Sequence, residues 1–122
     1  MSEEEEQKVN IQIFGVKKSA DTRKAERFFQ ERGIRFQSID LREKGFSRGE
    51  LRSVLNAVGG HLELLIDEGA KDQKMVTLLR YLAEEDRFDK LLENPQVMKM
   101  PVVRNGRQAT IGYQPKTWKD WE

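Results

Sequence analysis

Ser19 and Thr22 stand three residues apart in the segment Gly15-Val16-Lys17-Lys18-Ser19-Ala20-Asp21-Thr22-Arg23-Lys24-Ala25, among the cations Lys17, Lys18, Arg23 and Lys24. The alternating run Val9-Asn10-Ile11-Gln12-Ile13-Phe14 leads into them, so the pair lies where a strand passes through a short loop into a helix. Such a helix start carries roughly half a positive charge and outward N–H groups, and it binds anions readily. A cysteine in those surroundings falls from ~8.5 to as little as ~3.5 in pKa and becomes a thiolate nucleophile. This chain contains no cysteine. An alcohol starts far higher, close to water, and the same shift would still leave it protonated at neutral pH. A serine nucleophile therefore needs an adjacent general base. The single histidine, His61, stands beside Gly60 with no partner signature around it. Oxygen forms no exchangeable disulfide, so a redox role for the hydroxyl is void. Two roles remain for these residues. Ser19 can donate a hydrogen bond within an anion or carboxylate pocket formed with Lys17, Lys18 and Arg23. Alternatively Ser19 or Asp21 caps the helix, a contribution of about 1 kcal/mol, and the lysines are solvated.

At 122 residues the chain is long enough to bury a sound core without disulfides or metals. Its 22 basic and 21 acidic residues nearly cancel, which leaves no overall field for nucleic acid or an acidic membrane. No apolar run approaches the ~20 residues of a membrane span. The start is acidic where a signal peptide is basic and apolar, so a cytoplasmic location is the default. Basic residues interleave with acidic ones, so direct nucleic-acid binding is not expected, and a monomer is. One histidine argues against a zinc site.

The elements that must position Ser19 follow from periodicity. Residues 1–7 read as an acidic, disordered tail and residues 8–122 as one domain. Residues 8–14 read as a strand broken by Gly15, residues 20–32 as a helix ended by Gly33, and residues 35–40 as a second strand. A helix between two such strands predicts a parallel pair with a right-handed crossover. Residues 41–46 read as a charged loop, and Ser47 with Glu50 makes a capping box for a helix over 48–58. Gly59-Gly60 stops it, a short turn covers 62–66, and helices over 72–84 and 86–93 follow. Met75, Val76, Leu78, Leu79 and Leu82 form an expected core stripe. Asn105-Gly106 predicts a type I′ hairpin. Pro115 opens a last helix carrying Trp118 and Trp121 on one face, Trp118 the better buried. The order is β-α-β, a helical insertion, then β-β-α.

That order, with Arg23-Lys24-Ala25, Asp40-Leu41-Arg42, Pro101-Val102-Val103 and Ile111-Gly112-Tyr113, resembles the arsenate reductase ArsC/Spx family over roughly residues 9–121. The resemblance implies an α/β, thioredoxin-like fold with a mixed four-stranded sheet and a cis Pro101. It places Ser19 on the family's nucleophilic cysteine and Thr22 on the second position of Cys-x-x-Cys. Asp67-Glu68, Met100 and Tyr113 fall where arsenate reductases carry the arginines that hold the oxyanion. Nucleophile and oxyanion clamp are both missing. The expectation is a degenerate, non-enzymatic protein-binding or regulatory module with no metal or resident cofactor. Spx-like members bind the RNA polymerase α subunit, so that is the partner the resemblance implies, with residues 42–52 as the contact region. The alternative is a glutathione-dependent reductase or transferase in which Ser19 and Pro101 hold a borrowed thiolate.

Overall fold

Ile11 and Ile13 project to one face of the central strand and Phe14 to the other, so a single strand feeds two cores. The computed structural model describes residues 10–121. The acidic tail and the start of the expected first strand lie outside them. Strand β1 (Ile11–Gly15) pairs parallel with β2 (Phe36–Asp40) and antiparallel with β3 (Val102–Asn105). Strand β4 (Gln108–Ile111) continues the sheet, in the order β2-β1-β3-β4. The helix α1 (Ala20–Glu31) crosses from β1 to β2, and Gly33 past its end has φ +69°, as its role in stopping the helix requires. This is the thioredoxin-like α/β arrangement, with its mixed four-stranded sheet and enlarged middle connection.

On one face of the sheet, Ala25, Phe28 and Phe29 of α1 pack with Ile11, Ile13, Val103 and Trp118. Trp118 belongs to the five-residue helix α5 (Pro115–Lys119). Its ring lies 5.3 Å from those of Phe28 and Phe29, and its Nε1–H donates to Thr110 Oγ1 at 2.8 Å. Trp121 is half-buried, so the two tryptophans do not form an exposed pair. The other face carries the insertion: α2 (Arg48–Ala57), α3 (Gln73–Tyr81), α4 (Glu84–Glu93) and the 3-10 turns Leu62–Leu65 and Pro95–Val97. The capping box forms as expected: Glu50 N–H donates to Ser47 Oγ at 3.1 Å and Ser47 N–H to Glu50 Oε1 at 2.9 Å.

Four expectations need correction. Gly15 does not break β1 but ends it, paired with Asp40, because a side chain there would meet α1. Residues 41–46 are not simply a solvated loop, since Leu41 and Phe46 are buried and Phe46 stacks on Phe14 at 4.2 Å. Leu78 is 40% exposed. Val76 and Leu79 take the core-facing side of α3, and Leu78 lies about 200° around the axis from Val76. The hairpin loop is Gly106-Arg107, with positive φ at Gly106 alone, which matches type II′ rather than I′. The Met100–Pro101 bond is cis, as the resemblance implies. Among the described residues no helix is long and apolar enough to cross a membrane.

Candidate functional site

Ser19 is the N-cap of α1. Its backbone is extended, its Oγ accepts the Thr22 N–H at 3.1 Å, and its carbonyl accepts the Arg23 N–H at 3.2 Å. The hydroxyl oxygen is therefore engaged, while its O–H proton stays available for donation. Thr22 does not join it. Its side chain is buried against Gly15, and Oγ1 has no hydrogen-bond partner among the described residues. The two hydroxyls that share a sequence motif thus face different surroundings.

Ser19 and Lys18 line an open groove of about 1120 Å³. Leu41 and Arg42 come from the β2–α2 loop, Asp67, Lys71 and Asp72 from the approach to α3, and Met98 and Met100 from the approach to β3. Of the other residues expected here, Lys17 and Arg23 are exposed outside the groove lining. Arg23 Nη1 instead donates to the Lys17 carbonyl at 2.6 Å, a local bond that draws the guanidinium toward its own loop. Pro101 is buried behind Met100, and its carbonyl accepts the Gly112 N–H at 2.8 Å.

The charge balance of the groove decides what it can hold. Lys18, Arg42 and Lys71 are matched by Asp21, Asp67 and Asp72. Arg42 is also committed to Asp40, with Nη2 3.2 Å from Oδ2 and its N–H 2.9 Å from Oδ1. The side-chain hydrogen bond from Arg42, then the backbone one, holds the Asp40 carboxyl below its ordinary value. The acids have structural duties: Asp67 Oδ1 accepts the Gly69 N–H at 3.0 Å, and Asp72 caps α3 at Met75 N–H while accepting from Gln96 at 3.1 Å. Glu68 turns away to pair with Arg80. An oxyanion entering this groove meets no surplus of positive charge and no free guanidinium. Met98, Met100, Leu41 and Val16 supply an apolar floor instead.

The charged run at residues 42–52 is partly spoken for. Arg48 pairs with Asp89 at 2.8 Å, Arg52 lies 4.0 Å over the Phe88 ring, and Glu50 completes the capping box. Glu43 and Lys44, next in the chain to Arg42, remain exposed. His61 is exposed, 3.7 Å from Glu63, and no group of three metal-ligating side chains occurs among the described residues. Sequence reasoning missed Leu41, Asp72, Gln96 and Met98 as groove walls. They share no spacing with Ser19: Leu41 reaches the groove because its N–H continues the β1–β2 pairing to the Gly15 carbonyl at 2.9 Å, and the others arrive through packing of the insertion.

Comparison with known proteins places these features. The ArsC family model matches residues 14–121. The chain is 19% identical over 115 residues to the uncharacterized protein YusI of Bacillus subtilis (strain 168), covering 92% of this chain and 98% of that one. Among solved structures, the arsenate reductase from Vibrio cholerae superposes with a TM-score of 0.80 at 21% identity, over 93% of this chain and 98% of its own. The YFFB (PA3664) protein does so with a TM-score of 0.78 at 20% identity, over 91% and 97%. At these identities the structural likeness is one of fold.

Proposed function

We propose that this chain, which belongs to the ArsC family, acts by binding a protein partner rather than by turning over a substrate. One observation carries the reading. The hydroxyl in the nucleophile's place caps its own helix, inside a groove whose charges balance and whose floor is apolar. The groove offers volume without a thiol or a surplus of cations. Methionines on a groove floor adapt to varied apolar side chains, as a protein-recognition surface requires. The RNA polymerase α subunit is the partner the resemblance implies, and Glu43 and Lys44, exposed and next in the chain to Arg42 of the groove, are the side chains offered to it.

Affinity capture with the immobilised chain and purified α subunit tests this. Binding should be recovered, and Met100→Glu should weaken it about tenfold, equivalent to about 1.4 kcal/mol. Absence of binding, or indifference to the substitution at Met100, overturns the reading.

A second reading rests on the free O–H of Ser19. A donor there stabilises the thiolate of a bound glutathione, with Lys18 of the same groove on a glutathione carboxylate. Ser19→Ala separates the two. It should cost about 1 kcal/mol of stability through the lost cap, read by urea unfolding, and leave partner capture unchanged. Glutathione-induced amide shifts around Lys18 and Ser19 that vanish in this variant would instead establish the thiol-binding role.

A further inference from the structure

The outer face of α1 and the short helix α5 enclose a second cleft, of about 320 Å³, about one and a half to three and a half turns further along α1 than Ser19. Lys24, Arg27, Arg32 and Lys119 line it, with Glu31 as the single acid. In a chain whose charges otherwise nearly cancel, that is a local concentration of positive charge. We infer that this cleft binds a nucleoside phosphate, the ring against Tyr113 and the phosphate among Arg27, Arg32 and Lys119.

Size comes first. The volume falls at the lower end of small-ligand pockets, about 300–1,000 Å³, and is too small to seat a helix or strand of a partner. The order of the lining groups then selects the ligand. Residues 24 to 32 span about 12 Å along the helix axis. At one end the Tyr113 ring is 42% exposed, with Lys24 Nζ 5.8 Å from its centroid. Its other neighbour is Trp118, packed edge-on at 5.6 Å, which holds the ring in place. At the opposite end, the Arg32 guanidinium lies 3.7 Å over the buried Phe28 ring, and its Nη1 donates to the Phe28 carbonyl at 3.2 Å. Those two contacts use one face and one donor of a group with five N–H bonds. The remaining donors are held in position, which lowers the entropic cost of gripping an oxyanion.

Capping the end of α1 accounts for Arg32 by itself. It does not account for Arg27 and Lys119, which make no ion pair among the described residues and converge on the same space from two helices. An exposed aromatic face at one end and forked cations at the other match a planar base joined to a phosphate, whereas an acidic peptide has no use for the ring.

Titration of the full chain with AMP, inorganic phosphate, adenosine and a glutamate-rich peptide, followed by amide shifts and by tryptophan fluorescence, tests the assignment. AMP should shift the amides of Arg27, Tyr113 and Lys119 and bind about tenfold more tightly than phosphate or adenosine. Arg27→Ala with Lys119→Ala should weaken AMP binding about tenfold, two exposed charge pairs at about 0.7 kcal/mol each. Tyr113→Ala should weaken AMP but leave phosphate unaffected. Lys18→Ala, in the other groove, should change neither. An unchanged far-ultraviolet circular dichroism spectrum confirms that each variant is folded. Phosphate binding as tightly as AMP, peptide binding more tightly than AMP, or shifts confined to the groove beside Ser19 would each overturn the proposal.

Discussion

A thiol introduced at position 19 should be alkylated by iodoacetamide, where the native chain has no sulfur to react, and should still leave arsenate unreduced. Ser19→Cys puts sulfur at the cap of α1, beside the Ala20 and Asp21 N–H groups that have no intrahelical acceptor. The helix end and Lys18 favour the thiolate, and Asp21 opposes it from within the first turn. The pH midpoint of alkylation should accordingly lie below the ~8.5 of a free thiol. Arsenate turnover needs an oxyanion held next to that sulfur. Here Arg42 is committed to Asp40, and Asp67, Glu68 and Met100 occupy the places the resemblance assigns to cationic side chains. Adding Met100→Arg should supply part of what is absent, because position 100 lines the same groove. Phosphate should then protect the thiol from alkylation in the double variant and not in the single one. Steady arsenate reduction by Ser19→Cys alone would show that the groove holds oxyanions after all, and an alkylation midpoint at or above that of a free thiol would show that Asp21 outweighs the helix end and Lys18.

Local signals in the chain were reliable where the physics is local. The alternation of Ile11 and Ile13, the stop at Gly33, the Ser47–Glu50 capping box and the burial of Trp118 each depend on neighbours within a few residues or on one dominant side chain. Ser19 was legible for the same reason, since a cap is defined by the helix it begins. Arg23 lies off the groove lining because a position near a helix start does not say which acceptor a cation takes, and here the Lys17 carbonyl takes it. The far wall of the groove, Asp67 apart, leaves no local signal. Asp72, Gln96 and Met98 arrive from an insertion whose docking is set by Leu51, Leu65, Leu79 and Leu91 in the second core. The α1–α5 cleft leaves no local signal either, since Tyr113 and Lys119 meet Lys24 and Arg27 only after the sheet has formed.

Gly15→Ala should be the most damaging single methyl group this chain could receive near the site, at about 3 kcal/mol. Backbone conformation is not the obstacle, because Gly15 is an ordinary strand residue paired with Asp40. Space is. A Cβ there would lie 2.3 Å from Thr22 Oγ1, 2.7 Å from Cγ2 and 3.0 Å from Cβ. Neither side yields cheaply. Strand β1 is hydrogen-bonded on both edges, and Thr22 is fixed in the first turn of α1 by the Ser19 cap. Relief must come from moving the start of α1, which displaces Ser19 and Lys18 from the groove wall. Thr22→Ala removes the two closest atoms and a buried hydroxyl that has no partner among the described residues. By itself it should change stability by less than about 1 kcal/mol, since a lost buried methyl offsets the gain from an unsatisfied oxygen. Combined with Gly15→Ala it should recover about 1–2 kcal/mol of the damage, a coupling typical of side chains in direct contact. Recovery stops short of complete because the remaining Cβ contact stays tight. Urea unfolding of the two single variants and the double variant, at constant m, measures this coupling. Additive costs would mean that the strand and helix do not press on each other at this point, and that the place of Ser19 is set by the cap alone.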